Sequence, residues 1–164
     1  MSDPAATVWA VRVVSQLPDL RGPEIREMLD GLPGAPGYQI VVKALRYRSR
    51  PHLSAWTEFD VRRITLQLPQ PFLPFGEIVP YGARRLRGKG MRFVWLSDGV
   101  TFRRPREVLR FLYLHEWMHW YLKEQRHRKS QAETTCDRFA LYNYRKRTVT
   151  LEDACDALRR RRDY

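Results

Sequence analysis

Soft metal ligands are few in this chain of 164 residues: two cysteines, Cys136 and Cys155, and four histidines. Two thiols can build neither a disulfide framework nor a four-cysteine zinc ribbon, and they suit a reducing cytoplasm. Long hydrophobic runs are missing as well, so no membrane span is expected. The N-terminus carries Asp3 and no early Lys or Arg, and Arg12 interrupts the first apolar run, which argues against a secretory signal. Lysine is scarce: 25 of the 30 basic residues are arginine. A GC-rich coding sequence would raise arginine at lysine's expense, but would not by itself create the net charge of +12.

What is present fits one globular domain over residues 1–164, with 43% hydrophobic and 12% aromatic residues and enough chain to bury a core. The charge is uneven. Residues 1–40 hold three Arg against five acids, which leaves +14 on the remainder. A surface of that sign attracts nucleic acid or another polyanion.

Periodicity predicts an α+β order. Asp3-Pro4, with Val8, Val11 and Val14, reads as a helix over 4–17, and Gly22-Pro23 opens a second with Ile25, Met28, Leu29 and Leu32 on its apolar face. The period then changes to two. Strands are expected over 38–47, 53–59 and 64–68, and a last one over 91–97. Between the third and the last, Pro69, Pro71, Pro74 and Pro80 predict an irregular stretch over 69–90, whose second half is basic and glycine-rich. Pro105 begins a central helix, Ser130 another over 130–146, and Thr150 or Leu151 a last one before the basic run Arg159–Arg162.

The central helix carries His115-Glu116-Trp117-Met118-His119, and Glu116 is the only formally charged side chain from Phe111 to Leu122. Histidines at i and i+4 lie one turn apart on one face, so both imidazoles can reach one Zn²⁺. Glu116, one residue along, is placed to polarise a water there. A carboxylate in an apolar run is costly unless something uses it. The competing reading is a buried amphipathic helix with two core histidines.

A catalytic zinc site needs a third protein ligand. Glu133 and Asp137 fall one turn apart on the following helix, where like charges repel unless each has its own partner. Glu133 as ligand and Asp137 as acceptor of a ligating histidine's outer N–H would supply both. Ser130-x-x-Glu133 is also a capping box, which would occupy Glu133 at the helix start. His127 competes as a ligand only if the central helix ends near Lys123; otherwise it contacts substrate or stays a solvated loop histidine. Tyr142 and Tyr144 are candidate donors to an oxyanion, against the commoner fate of core or rim tyrosines. Cys136 reads as a packed thiol.

His115-Glu116-x-x-His119 followed by Glu133-x-x-x-Asp137-x-Phe139-Ala140 resembles the gluzincin pattern of zinc metallopeptidases. Small size and a short gap are most similar to the minigluzincins and to SprT-like and ImmA/IrrE-like peptidases. The resemblance is specific over residues 108–144 and rests on element order elsewhere. It implies a small three- to four-stranded sheet packed on the H-E-x-x-H helix, with a glutamate-ligand helix and a C-terminal helix after it. It also implies His115, His119 and Glu133 as zinc ligands, Glu116 as general base and Asp137 as orienting partner. The expected function is a zinc-dependent endopeptidase acting on protein or peptide substrates, with the substrate strand added along the edge of 91–97. The alternative is a non-enzymatic, basic nucleic-acid-binding domain with a structural or vestigial zinc site.

Overall fold

The computed structural model describes residues 11–88, 90, 92–129 and 132–159. Strand β1 (Arg12–Ser15) leads into the short helix α1 (Gly22–Met28), then strands β2 (Gln39–Leu45), β3 (Ser54–Glu58) and β4 (Arg63–Pro69) follow. These four strands form one mixed sheet in the order β1-β2-β4-β3. β1, β2 and β4 run parallel, and β3 pairs antiparallel with β4 alone, so β3 is an edge. Helix α2 (Pro105–Trp120) packs on β3 and β4. The class is α+β.

Two expectations for the strands are corrected. The helix over 4–17 is a strand at Arg12–Ser15, and residues 4–10 lie outside the described residues. Val11 and Val14 share a helical spacing by coincidence. Adjacent β-branched Val13 and Val14 favour an extended backbone, and β2 offers a parallel partner in register from Arg12↔Gln39 to Ser15↔Val42. The irregular stretch over 69–90 contains an eleven-residue strand, β5 (Phe75–Arg85), paired antiparallel with β6 (Phe93–Phe102). Pro80 is tolerated because a two-stranded ribbon has free edges, and because the register shifts between Pro80 and Gly82. The strand expected over 91–97 is therefore β6, in this separate ribbon; the sheet takes its fourth strand from β1 instead.

Helix α2 is buried nearly all round, twelve of its sixteen residues being out of solvent, which its apolar and aromatic sequence requires. Its polar atoms are tied to carbonyls of neighbouring loops. Tyr113 donates to Pro33 O at 2.5 Å and Trp117 Nε1 to Gly34 O at 2.9 Å. Arg110 reaches five carbonyls, those of Met28, Asp30, Tyr144, Lys146 and Arg147. A buried guanidinium without such partners would cost several kcal/mol, on the order of 3–5. The loop before Arg147 comes so close to Gly31 that a Cβ there would sit 1.9 Å from Arg147 O, at a φ of +83°. Only glycine fits.

After Trp120 the helix widens into one π-helical turn, Tyr121–Gln125, and stops as Lys123 and Glu124 reach solvent. Helix α3 (Glu133–Asn143) then runs back across α2, starting three residues later than the expected 130. Helix α4 (Leu151–Arg159) closes the described chain on α3.

Candidate metal centre

The midpoint of α2 is where sheet edge, α2 and α3 meet. His115 and His119 point their Nε2 atoms at one another, 3.2 Å apart. Glu133, the first residue of α3, reaches over both: its carboxylate oxygens lie 3.0 Å from His115 Nε2 and 3.1 Å from His119 Nε2. The two nitrogens and the carboxylate, which meets each nitrogen with a different oxygen, make a compact donor triangle. Tetrahedral ligands about 2.0–2.1 Å from zinc stand about 3.3–3.4 Å apart, and the two nitrogens, at 3.2 Å, already stand near that spacing. Two imidazoles and a carboxylate also match the donor chemistry that zinc accepts.

His115, Glu116 and His119 also offer ligand atoms within 4.8 Å of one another. Two trios therefore share the histidines, and the contacts of the two glutamates separate them. Glu133 touches both Nε2 atoms directly. Glu116, 5% exposed, accepts a 2.6 Å hydrogen bond from the Thr57 hydroxyl on the edge strand β3. By these contacts Glu133 could serve as the third ligand, and Glu116 lies beside the donor triangle, held by Thr57.

Asp137 accepts from His115 Nδ1–H at 2.8 Å, one helical turn beyond Glu133. That bond fixes the ring so that Nε2 faces the triangle. Burial pulls the His115 imidazole pKa down. The hydrogen bonds to Asp137 and Glu133, with the charge of Glu116, outweigh it and raise the value to about 10. The same contact with His115 holds the Glu133 carboxyl below its ordinary range, against burial. A metal at the triangle would compete with this proton.

The remaining predicted residues do not join the cleft. His127 is exposed, in a left-handed conformation at φ +51°, beyond the π-helical turn. Tyr144 is buried against Phe102 and Phe111, and burial raises its pKa. Tyr142 packs on Tyr81. Cys136 is buried, and burial pushes its thiol pKa well up. The capping box expected of Ser130 with Glu133 falls on a residue outside the described ones; Ala132 directly precedes the helix and Glu133 opens its first turn.

Thr57 has no signal in the sequence. It lies 59 residues from Glu116, and only the strand order brings it to the cleft. Two hollows flank the site along β3. One, of about 280 Å³, is lined by Trp56, Thr57, Phe59, His119 and Glu133; the other, of about 330 Å³, by Leu53, Ser54, Phe111 and Asp137. Ala55, His115 and Glu116 line both, so the cleft runs along the strand's free edge with the histidines at its middle. No family model, curated protein or solved structure matches the chain.

Proposed function

We propose that this protein is a zinc-dependent endopeptidase of the small gluzincin type. The observation that carries the reading is the donor triangle of His115, His119 and Glu133, set beside a buried Glu116 at the middle of an edge-strand cleft. Zinc, when bound, would supply Lewis acidity that polarises a peptide carbonyl and lowers the pKa of water.

The chain's own residues supply the rest. Asp137 keeps His115 in the tautomer and orientation that presents Nε2. Glu116 takes the proton of the attacking water and returns it to the leaving amine. Thr57 holds Glu116 Oε2 and so limits which carboxylate oxygen faces the reacting atoms. An extended substrate would add as a strand to the free edge of β3, which borders the cleft, and not to 91–97, which belongs to the separate ribbon. The two free cysteines support a reducing, cytoplasmic setting, and no helix among the described residues is long and apolar enough to cross a membrane.

The test joins metal content to turnover. Purified protein should hold one zinc per chain and hydrolyse an unstructured protein substrate. Glu116→Gln should keep the metal and lose hydrolysis by at least about a hundredfold. Full turnover in metal-loaded Glu116→Gln would rule out the mechanism. Zinc bound without hydrolysis by the unaltered protein would favour a structural site.

A further inference from the structure

The peptidase reading leaves the outer half of the β5–β6 ribbon unused. From Tyr81 to Ser97 the sequence contains no acid, and it carries Arg84, Arg85, Arg87, Lys89 and Arg92. The four arginines are exposed. Register pairs Arg85 with Phe93 and Ala83 with Trp95. Cross-strand partners, and residues two apart, share a face of a ribbon. Phe93 and Trp95 therefore stand side by side on one face with Arg85, at 56% and 65% exposure.

A solitary exposed aromatic needs no explanation; two adjacent ones on one face of a ribbon mark a contact surface. Their face lines a groove of about 330 Å³ whose opposite wall is the start of α3, at Thr134 and Thr135. The ribbon is seated there, since Arg138 on α3 donates to Tyr81 O at 3.0 Å and to Ala157 O. The groove is thus fixed, and one wall is aromatic with a basic border.

We propose that this ribbon binds single-stranded nucleic acid, with bases stacking on Phe93 and Trp95 and phosphates held by Arg85 and Arg87. Charge complementarity selects a polyanion, and exposed aromatic faces select one whose bases are unstacked and free to pair with them. A duplex keeps its base faces covered and can use only the arginines. An anionic bilayer fits less well. The described residues of the ribbon's turn, Arg87, Gly88 and Gly90, offer a cation and no apolar side chain, with the aromatics set back along the strand, whereas a membrane wedge leads with its apolar residues. The surface uses no residue of the metal centre, but the first turn of α3 supplies Glu133 to the cleft and Thr134 to the groove, so bound nucleic acid would lie beside the cleft.

The experiment is fluorescence anisotropy of the full chain with a labelled single strand of mixed sequence and with its duplex, from about 50 to 200 mM salt. Vesicles of phosphatidylserine and phosphatidylcholine are a parallel arm. The single strand should bind at least about tenfold more tightly than the duplex, with affinity falling steeply as salt rises. Phe93→Ala with Trp95→Ala should lose roughly tenfold or more while keeping the salt slope; Trp95→Tyr should retain most of the affinity. Arg85→Ala with Arg87→Ala should make the salt slope shallower by about 1.4. Unchanged melting temperature in the aromatic variants would establish that they fold. No binding at the low-salt end, equal binding of duplex, or binding indifferent to the aromatic pair would each overturn the proposal. Vesicle binding that needs Phe93 and Trp95, without single-strand binding, would assign the surface to a membrane instead.

Discussion

Tryptophan occurs twice in helix α2 and once in the β5–β6 ribbon, and the two settings treat it differently. Trp117 is fully buried; its ring stacks on Tyr121 at 5.1 Å, leans on Phe139, and its N–H is bonded to Gly34 O. Trp95 is 65% exposed on the edge of a groove. In α2 the aromatic residues fix a backbone, and that backbone sets two histidines and a glutamate in place. In the ribbon they are left as surface. One region works through fixed geometry and the other through available contact area. A residue's type does not decide which; the number of layers packed around it does.

The largest expected effect breaks that comparison at its root. Trp117→Ala should cost about 3–5 kcal/mol of stability, while Trp95→Ala should stay within about 0.5 kcal/mol. Denaturant unfolding of both variants is the measurement. A comparable loss in Trp95→Ala would mean that the ribbon belongs to the cooperative core and is no independent surface.

Next come the ligands. Glu133→Ala should weaken zinc binding strongly, and Asp137→Ala roughly 10–100-fold, because the first removes a donor and the second only an orienting acceptor. Competition with a chromophoric chelator would rank them. Normal zinc affinity in Glu133→Ala would remove Glu133 from the ligand set. Loss of the metal in His127→Ala would contradict the exposed, remote placement of that residue.

The difference between helix and ribbon also explains what could be read from the sequence. Helix α2 is legible because its signals are local: Pro105 at the start, an unbroken apolar run, and H-E-x-x-H at helical spacing. The pairing of Glu133 with Asp137 is legible for the same reason, since an i, i+4 acidic pair on a helix needs partners. Their distance from His115 is not, because it depends on how α3 crosses α2. Strand β1 is hidden by a valine spacing that suits a helix equally well, and its identity depends on β2, 27 residues later. Strand β5 is hidden by prolines that count against a strand inside a sheet but not at a free edge. Thr57 is invisible until the strand order is known.

Thr57 gives a sharper test of the geometric side. In the proposed mechanism it is a positioning residue that acts through Glu116. Thr57→Val keeps the shape and removes the hydroxyl, so kcat should fall roughly tenfold with zinc content and KM little changed. Thr57→Ser should recover most of the loss. An equal loss in the serine variant would show that packing by the methyl group, and not the hydrogen bond to Glu116, is what matters at this position.

The smallest effect concerns the seat that joins the two regions. Thr150 immediately precedes helix α4; its Oγ1 accepts from Asp153 N–H at 3.4 Å, while Asp153 Oδ2 accepts from Thr150 N–H at 2.9 Å. This reciprocal cap holds the helix whose Ala157 O receives Arg138, the residue that also grips Tyr81 of the ribbon. Thr150→Ala should cost about 1 kcal/mol. Burial raises the Asp153 carboxyl pKa, but bonds to Thr150 and Lys146 outweigh it and hold the pKa below the ordinary value. Its contribution is therefore present above the unfolded carboxylate range and is lost as pH falls through the depressed folded value. Asp153→Asn should remove that part of the acid sensitivity and leave stability at neutral pH lower by a fraction of the same ~1 kcal/mol. Hydrogen exchange would locate the change. Faster exchange confined to α4 would mean that the ribbon's seat is held by Arg138 alone, whereas faster exchange in both α4 and β5, with α2 unchanged, would show that the surface region has a stability separate from the metal centre.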